Sequence, residues 1–165
     1  MLYDISDISF LIIDDNAYMR SIIKTMLSGF GVRELYEASD APEGFELFSS
    51  RPVDIIIIDL KMETLDGNEF VQLVRTAKDS PNPFVPIIMI TAYTERKTVE
   101  LARDCGVTEL LSKPICARDL YMRVVEIMER PREFIHTSSF MGPDRRRNTE
   151  SNYKGPERRK NVVEV

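Results

Sequence analysis

The chain has 165 residues, 43% hydrophobic and 30% charged, with a formal net charge of −5; that is enough for one domain with a full core plus an appendage, and too little for two. No apolar run approaches the roughly 18 residues of a membrane span, and the acidic start MLYDISDISF has neither the basic flank nor the cleavage site of a secretory signal, so a cytoplasmic address without membrane insertion is expected. A single histidine, His136, and two cysteines, Cys105 and Cys116, outside any CxxC spacing leave almost no material for a charge-relay triad, a His-metal centre or a redox pair.

In chain order, the first apolar segment is Phe10 to Ile13, whose continuous hydrophobicity suits a strand buried on both faces. A stripe of Tyr18, Ile22, Ile23, Met26 and Leu27 predicts a helix that stops at Ser28-Gly29, where glycine can take the left-handed cap. A weaker strand follows near Leu35 to Ala38. Ala41 to Ser49, with Pro42 in its first turn and Phe45 and Phe48 on one face, predicts a second helix. The strand Val53 to Ile58 leads to Asp59, and a helix carrying Phe70, Val71 and Val74 begins behind Asp66-Gly67. Val85 to Ile90 is the fourth strand, Thr94 to Asp104 the fourth helix, ending at Cys105-Gly106, and Glu109 to Ser112 the fifth strand. Leu120, Val124, Ile127 and Met128 mark a last helix that ends before Pro131. Five βα units joined by right-handed crossovers give an α/β fold, a doubly wound parallel five-stranded sheet of the flavodoxin-like kind, (βα)5, with an irregular C-terminal extension.

In such sheets ligands bind beyond the carboxyl ends of the strands. Those ends carry Asp14-Asp15, Asp59, Thr91-Ala92 and Lys113-Pro114, so three acids, a hydroxyl and an amine should converge on one pocket. Packed carboxylates repel unless a cation joins them or protons remain. Oxygen ligands without histidine or cysteine favour Mg²⁺ or Mn²⁺. A metal there would neutralise an incoming phosphoryl group, Thr91 can donate to a phosphoryl oxygen, and Lys113 supplies a fixed positive charge. Singly, an Asp-Asp pair reads as a cap or solvated loop and a Lys-Pro as a loop; the combination at successive strand ends points to phosphoryl chemistry.

Through these residues, together with Asp66-Gly67, the chain resembles the CheY-like receiver family of response regulators over about four fifths of its length. The resemblance implies a signalling switch rather than an ordinary enzyme. Asp59 would accept phosphate from a histidine kinase or phosphotransfer protein, with Thr91 and Lys113 beside it. Mg²⁺ would be held by Asp15 and Asp59, by Asp14 through water, and by the carbonyl of Lys61. Three positions depart from the family: Glu63 stands where a proline is frequent, Leu110 where many members carry an aromatic residue, and Tyr93 lies two past Thr91.

The expected domain covers residues 1–130, with 14 basic and 22 acidic residues; residues 131–165 carry 8 basic and 5 acidic ones and are expected to be a ligand-binding tail, disordered without its ligand. The tail holds a repeat thirteen residues apart: Phe140-Met-Gly-Pro-Asp144-Arg145-Arg146-Arg147 and Tyr153-Lys-Gly-Pro-Glu157-Arg158-Arg159-Lys160. An aromatic ring stacks on a base, arginine forks onto guanine or phosphate, and a carboxylate accepts from a guanine edge. Glycine and proline would set a turn that brings these groups together. Two copies suit a ligand with two equivalent halves, cyclic di-GMP, and the segment is similar to the arginine-rich extensions of CheY-like cyclic di-GMP effectors. The alternative is a plain phosphorelay receiver with a nonspecific basic tail. A DNA-binding output is not expected, because 35 residues without apolar period cannot form a helix-turn-helix; output by docking to a protein, a flagellar motor component or a histidine kinase, is.

Overall fold

The computed structural model describes residues 3–145 and the strand 162–163. The expected alternation is present: β1 (Phe10–Ile13), α1 (Ala17–Gly29), β2 (Leu35–Ala38), α2 (Ala41–Ser50), β3 (Ile55–Asp59), α3 (Gly67–Thr76), β4 (Ile87–Thr91), α4 (Arg96–Cys105), β5 (Glu109–Ser112) and α5 (Ala117–Glu129). The five strands form one parallel sheet in the order β2-β1-β3-β4-β5. Alternate side chains of each strand go to opposite faces. Leu11, Ile13, Ile56 and Ile58 pack with Phe48, Phe70, Val71 and Val74 of α2 and α3. Phe10, Ile12, Ile55 and Ile57 pack with Ile23, Leu27, Leu120 and Val124 of α1 and α5.

Side chains fix most helix starts. Asn16 accepts from the Tyr18 and Met19 N–H groups, Asp40 from Glu43 N–H, and Asp66 with Glu69 forms a reciprocal capping box. No side chain caps α4. Two local expectations for α1 are corrected. Tyr18, placed in the apolar stripe, is 74% exposed, because it sits in the first turn beyond the reach of the sheet. The left-handed glycine is Gly31 (φ 90°) and not Gly29, which is the last helical residue. α4 does end on a left-handed glycine, Gly106.

The segment beyond α5, expected to be irregular, contains strands. β6 (Phe134–His136) pairs antiparallel with β7 (Met141–Pro143) on one side and β8 (Val162–Val163) on the other. The β6–β7 hairpin sits at the amino-terminal ends of β4 and β5, touching α3 and α4. Arg75 of α3, 3% exposed, organises the contact. Its Nε and Nη2 donate to the Gly106 carbonyl (3.1 and 3.0 Å), its Nη1 to the carbonyls of Pro83 and Val85 (2.7 Å each), and its guanidinium lies 5.0 Å from the Phe134 ring centroid. Burial pulls the Arg75 guanidinium down to about 9, still high enough to keep it charged at neutral pH. Phe134 also meets Phe84 edge to face. Arg132 and Arg123 both donate to buried Glu109 (2.5 and 3.2 Å), tying the start of the extension to β5.

Candidate functional site: an acidic pocket at the strand ends

Register explains why scattered residues meet. Ile13 lies opposite Ile58, so Asp14 and Asp59, the next residue on each strand, emerge at the same level. Thr91 pairs with Ser112, which places Lys113 just beyond it, and the Lys113 N–H donates to the Thr91 carbonyl at 2.9 Å. The carboxylates of Asp14, Asp15 and Asp59 offer oxygens that all lie within 4.8 Å of one another. Lys113 Nζ reaches Asp59 Oδ1 at 2.8 Å. The pocket floor is close-packed: a Cβ on Gly67 would lie 2.6 Å from the Asp59 carbonyl oxygen, so α3 can start against the end of β3 only with glycine there.

Asp14 is 1% exposed. One of its oxygens accepts from the Asn16 N–H at 2.8 Å, and the other has no hydrogen-bond partner. Burial pushes its carboxyl above the ordinary range; Asp59 and Asp15 push the same way, opposed by the Asn16 hydrogen bond and by Lys113. A buried, unpartnered carboxylate oxygen beside two further carboxylates is a donor set that fits a hard divalent cation. The Thr91 hydroxyl, at the same rim, accepts from the Tyr93 N–H at 2.9 Å. Lys61, whose carbonyl was expected to help hold the metal, follows Leu60 in the loop after β3, and its ammonium lies 5.6 Å from the centroid of the half-exposed Tyr93 ring. Leu110 is half-buried and packs against the face covered by α2 to α4. Sequence reasoning did not single out Asn16, whose side chain caps α1 and whose N–H holds Asp14; an Asp-x-Asn before an apolar stripe was the available signal.

The tail residues divide. Phe140, Asp144 and Arg145 are described; Arg146, Arg147, Tyr153, Glu157, Arg158, Arg159 and Lys160 lie outside the described residues. Gly142-Pro143, expected as a turn, lies in β7 instead. Gly142 faces Gly106 so closely that a Cβ on it would lie 2.7 Å from Gly106 Cα. Arg145 sits over the Phe140 ring (4.8 Å) and pairs with Asp104 of α4 at 2.6 Å. Among the described residues no helix is long and apolar enough to cross a membrane.

Comparison with known proteins agrees with this geometry. The family model for the response regulator receiver domain matches residues 10–125. The chain is 32% identical over 123 residues to the transcriptional regulatory protein PdtaR of Mycobacterium tuberculosis, covering 74% of this chain and 58% of that protein. It is 30% identical over 107 residues to a probable chemotaxis protein CheY of Rhizobium etli, covering 65% and 81%. Among solved structures it resembles chemotaxis protein CheY4 of Vibrio cholerae, with a TM-score of 0.64 and 27% identity over 74% of this chain and 97% of that one. The match spans only 58% of PdtaR and 45% of a probable transcriptional regulator, ycf27, of Guillardia theta. With five parallel strands, five helices and the acid cluster at their carboxyl rim, the chain belongs to the response regulator receiver family.

Proposed function

We propose that this receiver is a phosphorylation switch in which Asp59 accepts a phosphoryl group from a histidine kinase or phosphotransfer protein. The observation that carries this is the cluster of Asp14, Asp15 and Asp59 carboxylates within 4.8 Å, with Lys113 Nζ 2.8 Å from Asp59. An Asp59 carboxylate oxygen forms the O–P bond as the P–N bond of the donor phosphohistidine breaks and its electron pair returns to the imidazole. Asp15 and Asp59, with the Lys61 carbonyl and with Asp14 through water, are the residues that would hold Mg²⁺, which when bound offsets the charge of the phosphoryl oxygens. Lys113 positions Asp59 and faces the incoming anion. Thr91 exchanges its hydroxyl donation to the Tyr93 carbonyl for one to a phosphoryl oxygen, which alters the β4–α4 loop. Output follows by docking through the face of α4, β5 and α5, where a groove of about 450 Å³ is lined by Thr91, Val99, Leu110, Met122 and Arg123; a flagellar motor component or a histidine kinase is the class of partner. Intact-mass spectrometry after treatment with acetyl phosphate and Mg²⁺ should show one added phosphoryl group, absent from Asp59→Asn; labelling of that variant at the wild-type rate would overturn the assignment.

A second reading concerns the tail and is favoured by the duplicated aromatic-x-Gly-Pro-acid-Arg-Arg-basic motif. In it, Phe140, Asp144, Arg145, Arg146 and Arg147 with Tyr153, Glu157, Arg158, Arg159 and Lys160 bind cyclic di-GMP, one copy to each half of the ligand. The described part of the first copy qualifies this reading: Arg145 is already engaged by Asp104 and Phe140, so a ligand must displace or extend that contact. Calorimetric titration should show binding that is lost in Arg146→Ala with Arg159→Ala. Equal affinity for GTP, RNA and heparin, all collapsing with salt, would instead mark a nonspecific basic tail.

A further inference from the structure

α4 is held far more firmly at one end than at the other. Its first turn has no side-chain cap, with Arg96 and Lys97 exposed and Thr98 and Val99 only half-buried; its fully buried residues, Ala102 and Cys105, are both in the last turn. The uncapped end is reached from Thr91 of the phosphoacceptor pocket through only residues 92–95. At the anchored end the receiver core is not alone: the β6–β7 hairpin is built onto it. Gly106, the left-handed residue that ends α4, lies backbone to backbone with β7, since a Cβ there would stand 2.7 Å from the Met141 carbonyl oxygen. A Cβ on Gly142 would in turn stand 2.7 Å from Gly106 Cα. The Gly106 carbonyl is held by two Arg75 nitrogens, and Arg75 in turn stacks on Phe134 of β6. Asp104, also in the last turn of α4, pairs with Arg145 just past β7.

We infer that the β6–β7 hairpin is the fixed pivot of α4: it pins Cys105–Gly106 while leaving the Thr91 end of the helix free, so that a change at the pocket swings α4 about the hairpin and reaches the extension through Gly106. A two-ended element of this kind couples its ends reciprocally, so whatever occupies the extension feeds back on the pocket. The transmission half of the inference rests on the phosphoacceptor reading of the pocket; the pinning half does not, and neither depends on cyclic di-GMP.

Hydrogen exchange read by mass spectrometry on the full chain tests both halves. In the free protein, peptides covering 102–107 should exchange slowly and those covering 96–100 quickly; Gly142→Val, which cannot seat against Gly106, should speed exchange at 102–107 by about tenfold or more while β1 and β3 stay protected. The milder Phe134→Leu, which keeps apolar bulk and loses the ring under Arg75, should raise it by a smaller factor and serves if the valine variant unfolds throughout. Unchanged exchange at 102–107 in both variants would overturn the pivot. Beryllofluoride with Mg²⁺ should then alter exchange at 91–96 and, in wild type, at 134–143, the second response vanishing in Gly142→Val. A response at 91–96 without one at 134–143 overturns the transmission and leaves the phosphoacceptor reading intact; no response at either place overturns both.

Discussion

Replacing Asp14 with asparagine measures what the carboxylate cluster costs the protein without metal. The side chain is 1% exposed, one oxygen is bonded to the Asn16 N–H, the other has no partner, and the Asp15 and Asp59 carboxylates stand beside it. A buried polar atom without a partner costs about 1–3 kcal/mol, and more when charged. An amide of nearly the same shape removes the negative charge and brings an N–H₂ that can donate to the neighbouring acids. Urea unfolding at pH 7 in EDTA should therefore show Asp14→Asn more stable than wild type by about 1–3 kcal/mol, with an unchanged dependence on denaturant. Adding Mg²⁺ at a hundredfold excess over its dissociation constant should stabilise wild type by about 2.7 kcal/mol. The variant, short of the carboxylate charge that would hold the metal through water, should gain less, so that the two proteins converge or exchange order. A variant less stable than wild type in EDTA would refute the reasoning, because it would mean that Asp14 is held by favourable interactions and not tolerated against repulsion.

Three further outcomes follow from named contacts. Arg75→Met should cost about 3–5 kcal/mol in the same unfolding assay, since the buried carbonyls of Gly106 and Val85 and the part-buried one of Pro83 lose their charged donor; a loss under 1 kcal/mol would show that water replaces it at no penalty. Phe134→Ala should cost about 3 kcal/mol, and the double variant less than the two together, because the ring and the guanidinium stabilise one another; strict additivity would break that link. Glu43 accepts from the Ser39 N–H and hydroxyl, and chiefly the backbone bond holds its carboxyl below the ordinary value. Its folded value is depressed, so its contribution is complete above the unfolded value of 4.5 and is lost as pH falls through the folded one; carbonyl NMR titration should place the Glu43 midpoint below those of exposed glutamates, and a midpoint among or above them would remove the bond from the account.

The pocket was legible in the sequence for a structural reason. Each of its residues directly continues a strand recognisable from continuous apolar character, and parallel register brings the ends of such strands to one rim. The runs at Val53 and Val85 begin two residues before β3 and β4, because hydrophobicity marks burial and not the first ladder hydrogen bond, yet they end where the chemistry lies, at Asp59 and Thr91. What pairwise geometry adds is the unpartnered Asp14 oxygen and its hold from Asn16, which depend on side-chain directions that spacing alone does not contain.

The hairpin was illegible because nothing local specifies it. Three-residue strands carry too little period to register, and the residue that receives them, Arg75, is a charge on the stripe of α3 whose acceptors come from loops 8 to 31 residues away. Gly-Pro reads as a turn when its surroundings are ignored. In β7 the proline lies in a strand at the edge of the small sheet, where a missing N–H is tolerated, and the glycine is there because Gly106 leaves no room for a side chain. The same correction applies to the repeat as a ligand motif. In its first copy Gly142, Arg145 and Phe140 each have a partner within the protein, so their resemblance to the second copy is at least partly a packing matter. Motif reasoning treats every residue as free to meet a ligand, whereas in the described copy the Arg145 guanidinium is already engaged by Asp104 of the body and by the Phe140 ring of the motif itself.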